Sequence, residues 1–171
     1  MPARLSAQDV IRRLDLVPLP GEGGYYRQTV LVPNPDPEAS YAPLHTAILF
    51  LVTPDSWSGL HRLASDELFH FHMGDECEMV VCSPEGAIEE RRIGIDLDAG
   101  CLVQTLVPGG MWQGTRLVRG GDYGYALLGT TMTPGFRPDQ FQLATRRDLD
   151  GFPTAVVARL VPFLAPTGGD A

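Results

Sequence analysis

The stretch Gly59-Leu60-His61-Arg62-Leu63-Ala64-Ser65-Asp66-Glu67 carries the most informative chemistry in the chain. It sets an imidazole and a carboxylate a short distance apart, and Gly74 follows Glu67 after six further residues. On neighbouring strands of a small barrel, both side chains can point into the lumen. Imidazole plus carboxylate is a workable acid–base pair, or half of a metal site. An unpaired polar group buried in such a place costs about 1–3 kcal/mol, so His61 needs a partner or a role. Glu67 needs one as well, and Arg27 and His61 are both available to it. Arg27 can instead clamp a carboxylate or phosphate by two-point hydrogen bonding. His70 and His72 alternate away from Glu67 and read as surface or interface residues, with no third ligand in sight. Trp57, Phe69, Phe71 and Trp112 read as barrel core or as the lining of a cavity.

The elements that must position these groups are mostly strands. Ser6 and Asp9 form a weak capping-box signal, and Val10, Ile11 and Leu14 share one face of a short helix over 7–15. Pro18, Pro20 and Gly21-Glu22-Gly23-Gly24 end it and feed a strand over Tyr25–Val32. Asn34-Pro35-Asp36-Pro37 is too proline-dense for a central strand. Further strands are expected at 46–52, 57–61, 66–72, 77–83, 88–95, 102–107, 112–117 and 123–132, divided by Gly- and Pro-containing turns. Thr133-Pro134-Gly135-Phe136 closes the β region. A terminal helix is expected over 154–164, with a frayed tail over 165–171. Many short strands without β/α alternation predict an all-β sandwich or barrel. The length of 171 residues predicts a single domain over 1–171, with its barrel at about 23–136.

Composition removes several functions. All 13 basic residues are Arg, so no lysine is present for a Schiff base or a P-loop. A net charge of −8 argues against nucleic acid. No apolar run reaches the ~20 residues of a membrane span, and no signal peptide is expected. Cys77, Cys82 and Cys101 are odd in number and lack CxxC spacing, which points to a reducing, cytoplasmic setting.

The motifs resemble the cupin superfamily. Glu67, Gly74 and His61 match its first motif, with Leu63 where a second histidine stands. Gly100, Pro108 and Gly110 match its second, with Gln113 in place of the histidine. Four ordered segments resemble the DUF985 (cupin_5) subfamily: Gly23-Gly24-Tyr25-Tyr26-Arg27, His61-Arg62 through Phe71, Pro108 through Gln113, and Thr133 through Phe136. That subfamily usually has Glu where this chain has Gln28. Gly59-Leu60-His61 is also similar to the Gly-Leu-His of sugar-nucleotide 3,5-epimerases.

The resemblance implies a double-stranded β-helix, the jelly-roll barrel, with short terminal helices. It implies His61 as general base; Glu67 is expected as its partner, and Tyr25, Arg27, Phe69, Trp112 and Gln113 are expected to bind substrate. A tyrosine acid would have to come from the later strands, where Tyr123 and Tyr125 are available but stand in no matched motif. The expected activity is a metal-independent isomerase or epimerase of a small carbohydrate-like or keto compound. Alternatives are a binding protein without turnover, and a dioxygenase-like enzyme holding Mn, Fe, Ni or Zn on His61, Glu67 and Gln113. A homodimer is implied, through Leu68, His70, His72 and the N-terminal strand.

Overall fold

The computed structural model describes residues 4–36 and 42–165. Pro37 and residues 166–171, and with them part of the expected loop and tail, lie outside the described residues.

Helix α1 (Ala7–Arg13) starts on the capping box expected from sequence. Ser6 Oγ accepts from the Asp9 N–H at 3.2 Å, and Asp9 Oδ2 accepts from the Ser6 N–H at 3.3 Å. The two-residue strand β1 (Val17–Pro18) then pairs with β2 (Tyr25–Val32). Proline is tolerated there because β1 is an edge strand.

The remaining strands are β3 (His45–Val52), β4 (Ser58–Leu63), β5 (Glu67–Gly74), β6 (Cys77–Cys82), β7 (Ile88–Ile93), β8 (Gln104–Val107), β9 (Trp112–Leu117) and β10 (Ala126–Met132). A 3₁₀ turn at Pro138–Gln140 leads to β11 (Phe141–Leu143), and α2 (Thr154–Leu160) ends in a further 3₁₀ turn. Neither β1 nor β11 is expected from sequence, because two or three residues are too few to show alternation.

The strands form two antiparallel sheets, ordered β1-β2-β3-β10-β5-β8 and β11-β4-β9-β6-β7. Phe50, Phe69, Met79, Val81, Ile93 and Leu128 pack between them. Arg91 of β7 ties the open edges together, donating to Thr105 Oγ1 and to the Leu106 carbonyl of β8. The outer faces are capped separately. Helix α1 covers Leu51 and Leu127 of the six-stranded sheet, with Tyr125 just before β10, and α2 covers Leu60, Val80 and Trp112 of the other. The architecture is the expected all-β jelly-roll barrel with a short helix near each end.

Alternation then decides what faces the lumen. On β3, Thr46, Ile48 and Phe50 point in, while Leu49 and Leu51 lie under α1. On β2, Tyr26 and Gln28 point in, and Tyr25 goes to the α1 side.

Candidate functional site

Strand β4 carries the centre of the site. Its pairing with β9 is interrupted between Ser58 and His61, and this irregularity lets both side chains enter the same cavity. Gly59 lies inside the interruption. A Cβ there would stand 2.7 Å from the Glu22 carbonyl oxygen and 2.7 Å from Ala165 Cα, so no other residue fits without displacing backbone. The Gly59 N–H donates to the Glu22 carbonyl at 2.9 Å instead. That contact draws the glycine-rich loop against β4, and Ser58 Oγ donates to Glu22 Oε1 at 2.7 Å.

His61 is buried between two carboxylates. Its Nδ1 lies 2.8 Å from the Gly59 carbonyl oxygen, which can only accept, so Nδ1 carries a hydrogen. Glu22 Oε1 is 3.7 Å from the same nitrogen, and Glu67 Oε2 is 3.9 Å from Nε2. Both distances are too long for hydrogen bonds, so the carboxylates act on the ring as charges. Burial by itself lowers the His61 pKa; Glu22 and then Glu67 outweigh it and raise the value to about 9. Burial pushes Glu22 up, against the pull of His61. Gln113 is almost fully buried and donates from Nε2 to Glu67 Oε2 at 2.8 Å. Phe141 of β11 stacks on the imidazole at 5.3 Å between ring centroids.

These groups form one wall of a cavity of about 220 Å³. Leu19, Ile48 and Met132 add aliphatic surface, and Tyr26, Phe50, Phe69 and Phe136 add aromatic rings. Thr46, Thr130 and the solvent-exposed Gln28 supply further polar groups.

The chain matches Cupin_5, the DUF985 group of the cupin superfamily, over residues 8–144. This chain belongs to the Cupin_5 family. A hypothetical protein from Leishmania major shares its structure with a TM-score of 0.85 and 31% identity, over 94% of this cupin and 99% of that chain. Protein SO0799 from Shewanella oneidensis gives a TM-score of 0.84 and 32% identity, over 95% and 99%. The uncharacterized protein YML079W of Saccharomyces cerevisiae is 25% identical in an alignment of 128 residues that covers 67% of this cupin. The match spans 64% of the yeast protein's length.

The cupin barrel brings His61, Glu67, Gln113 and Phe69 together, with Gln113 behind Glu67 rather than on the cavity wall. It does not bring in three other residues named from the sequence. Arg27 is exposed and lies 3.7 Å from Asp15, because it alternates with the inward Tyr26 and Gln28. Tyr25 is on the same outer side, packed near α1. Trp112 is in the α2-side core, with the Arg62 guanidinium 4.9 Å above its ring. The tyrosines considered as acids are also elsewhere: Tyr125 is buried against α1, and Tyr123 is exposed. The salt bridge considered between Arg27 and Glu67 does not form; Glu67 faces His61 and Gln113.

Glu22 and Phe141 are the residues the sequence reading passed over. The available signal for Glu22 was a lone carboxylate inside Gly21–Gly24, directly before an inward strand. Phe141 had none.

The donor set does not fit a divalent metal. Leu63 replaces one ligand of the usual cupin set. Gln113 replaces another and turns its amide nitrogen, a non-ligand, onto Glu67. His61 Nδ1 is committed to Gly59 and Glu22 stands on that side of the ring, which leaves Nε2 and Glu67 to face one another. Among the described residues, no three His, Cys, Asp or Glu side chains are grouped to hold an ion.

Proposed function

We propose that this cupin moves a proton on a small carbonyl compound held in the lumen, in a metal-independent isomerase- or epimerase-type reaction. The observation that carries the reading is the orientation of His61. With Nδ1–H given to Gly59, Nε2 is the titrating nitrogen, and it shares the cavity wall with Glu67. Between two carboxylates the imidazole rests protonated near neutral pH. It therefore begins as proton donor, the reverse of the base role implied by the epimerase resemblance.

Glu67 takes the proton α to the carbonyl. The C–H electron pair becomes the C=C bond of an enol, and the carbonyl oxygen receives the proton of His61 Nε2. Glu67 then returns its proton to the neighbouring carbon, or to the other face once the enol has turned in the cavity, while the enol oxygen or the adjoining hydroxyl gives a proton back to His61 Nε2, which restores both groups. Glu22 and Gln113 are positioning residues: Glu22 holds the charge on His61, and Gln113 fixes Glu67.

The test is solvent exchange. Dihydroxyacetone, acetoin and D-xylulose are incubated with the protein in D₂O, and loss of α-proton signals is followed by ¹H NMR. Catalysed exchange that disappears in His61→Ala and Glu67→Gln is expected. Tight binding with no exchange would favour the second reading, a binding protein without turnover, which the mainly apolar wall supports.

The reading extends to the assembly. Leu68 and its cross-strand neighbour Leu106 alternate away from the lumen, as does His70, and Leu106 is 47% exposed. A second copy covering this face is expected, and light scattering after size exclusion gives the subunit count.

A further inference from the structure

We propose that the His61 cavity takes an uncharged hydroxy-carbonyl compound of at most monosaccharide size, and excludes the phosphorylated or carboxylated forms of such compounds. The inference deepens the proton-transfer reading and rests on it for the carbonyl group. The exclusion of anions rests on the cavity walls alone.

Tyrosine aside, the ionisable side chains on the described wall are Glu22, His61 and Glu67, and no arginine is among them. The imidazolium is already matched by the carboxyl groups beside it, so an entering anion finds no free cation to meet. Phosphate and carboxylate ligands are ordinarily met by arginine forks. Three arginines directly follow inward-facing residues, and all three are engaged elsewhere. Arg27 follows Tyr26 and pairs with Asp15. Arg62 follows His61, donates to Gln142 Oε1 at 2.8 Å and stacks over Trp112. Arg137 follows Phe136 and pairs with Asp139. Strand alternation turns the first two outward, so a small side-chain movement does not bring them in.

What the wall offers suits hydroxyl groups. Glu22 and Glu67 accept hydrogen bonds, Gln28 and Thr130 both donate and accept, and His61 Nε2–H donates to a carbonyl oxygen. The aromatic rings of the wall take the apolar side of a small ring or chain. The volume of about 220 Å³ falls below the ~300–1,000 Å³ of sites for drug-sized ligands, which limits the occupant to a small molecule.

The experiment titrates the ¹⁵N-labelled full chain with dihydroxyacetone, its phosphate ester and aminoacetone, then with D-xylulose and its phosphate ester. The imidazole resonances report binding, and His61→Asn assigns the His61 signal. The neutral compounds are expected to perturb His61 and to bind about tenfold or more tightly than their esters, since burying an anion with no free cation to pair it costs more than that ratio. The double variant Glu22→Gln/Glu67→Gln is expected to narrow the gap. Esters binding as tightly as the neutral forms, aminoacetone binding more tightly, or no compound perturbing His61 would each overturn the proposal. Neutral compounds that bind without solvent exchange leave anion exclusion standing and remove the proton-transfer reading, so the two fail separately.

Discussion

The molecule holds charge pairs in two settings, and the closer pairs are the more exposed ones. Along the outside of β6, β7 and β9, Arg92 meets Glu76 at 3.0 Å, Arg116 meets Glu78 at 2.6 Å, and Arg159 of α2 meets Glu90 at 2.7 Å. Their side chains are 30–55% exposed. Inside the barrel, His61 stands 3.7 Å and 3.9 Å from Glu22 and Glu67, with side chains only 3–13% exposed. Water screens the outer ladder, where a pair contributes about 0–1 kcal/mol. The inner triad is shielded, and removing one partner there leaves a charge with neither water nor counterion. Distance alone ranks these interactions the wrong way; burial ranks them correctly. The ladder is a solvated surface that tolerates change, whereas the triad is costly to assemble and is held against the wall of a cavity.

The sharpest way to break this comparison is to remove one inner carboxylate. Glu67→Ala should cost about 3 kcal/mol near neutral pH, the lower end for breaking a buried pair, since His61 can shed its proton in response. Urea denaturation measures it. A loss no larger than that of a ladder variant would mean the triad is already open to water.

A similar magnitude should appear as a pH dependence. The folded pKa of His61, about 9, lies above the unfolded value of about 6.5. The stabilisation is therefore fully present below about pH 6.5 and is lost as pH rises through about 9, a total near 3 kcal/mol. Glu22 is raised as well, so its contribution also declines with rising pH, beginning from the ordinary carboxylate value. Denaturation midpoints between pH 6 and 10 should fall in the wild type and flatten in His61→Gln. In Glu22→Gln the imidazole titration seen by NMR should move back toward about 6.5. A wild-type His61 that titrates near 6.5 would sink the account of a protonated resting state.

Phe141→Ala strips the ring from one face of His61 and should cost about 1–2 kcal/mol, from lost stacking and partial burial. It should also lower the His61 pKa by letting water reach the charges. The smallest effect belongs to the ladder: Arg159→Ala should change stability by no more than ~0.5 kcal/mol, and that little should shrink further in high salt.

Much of this was legible in the residues themselves. Ser6 and Asp9 announced the start of α1, since a capping box is a local interaction. The Gly/Pro turns and alternating runs located nine of the strands, because turn chemistry and side-chain period are local as well. The grouping of His61, Glu67 and Gln113 was implied by the resemblance to the two cupin motifs. Alternation, however, says which residues share a face and not which face is inside. Tyr25 and Arg27 were equally good candidates with Tyr26 and Gln28, and only the docking of α1 on one side of the sheet assigned the lumen to the second pair. The approach of Glu22 to His61 depends on a strand irregularity at Gly59 and on a loop far away in the chain. The ring over His61 comes from a three-residue strand that exists only because β4 offers it an edge. Local rules wrote the strands, the turns and the reactive residue types into the sequence. Long-range packing decided which carboxylates surround His61, and with them its charge.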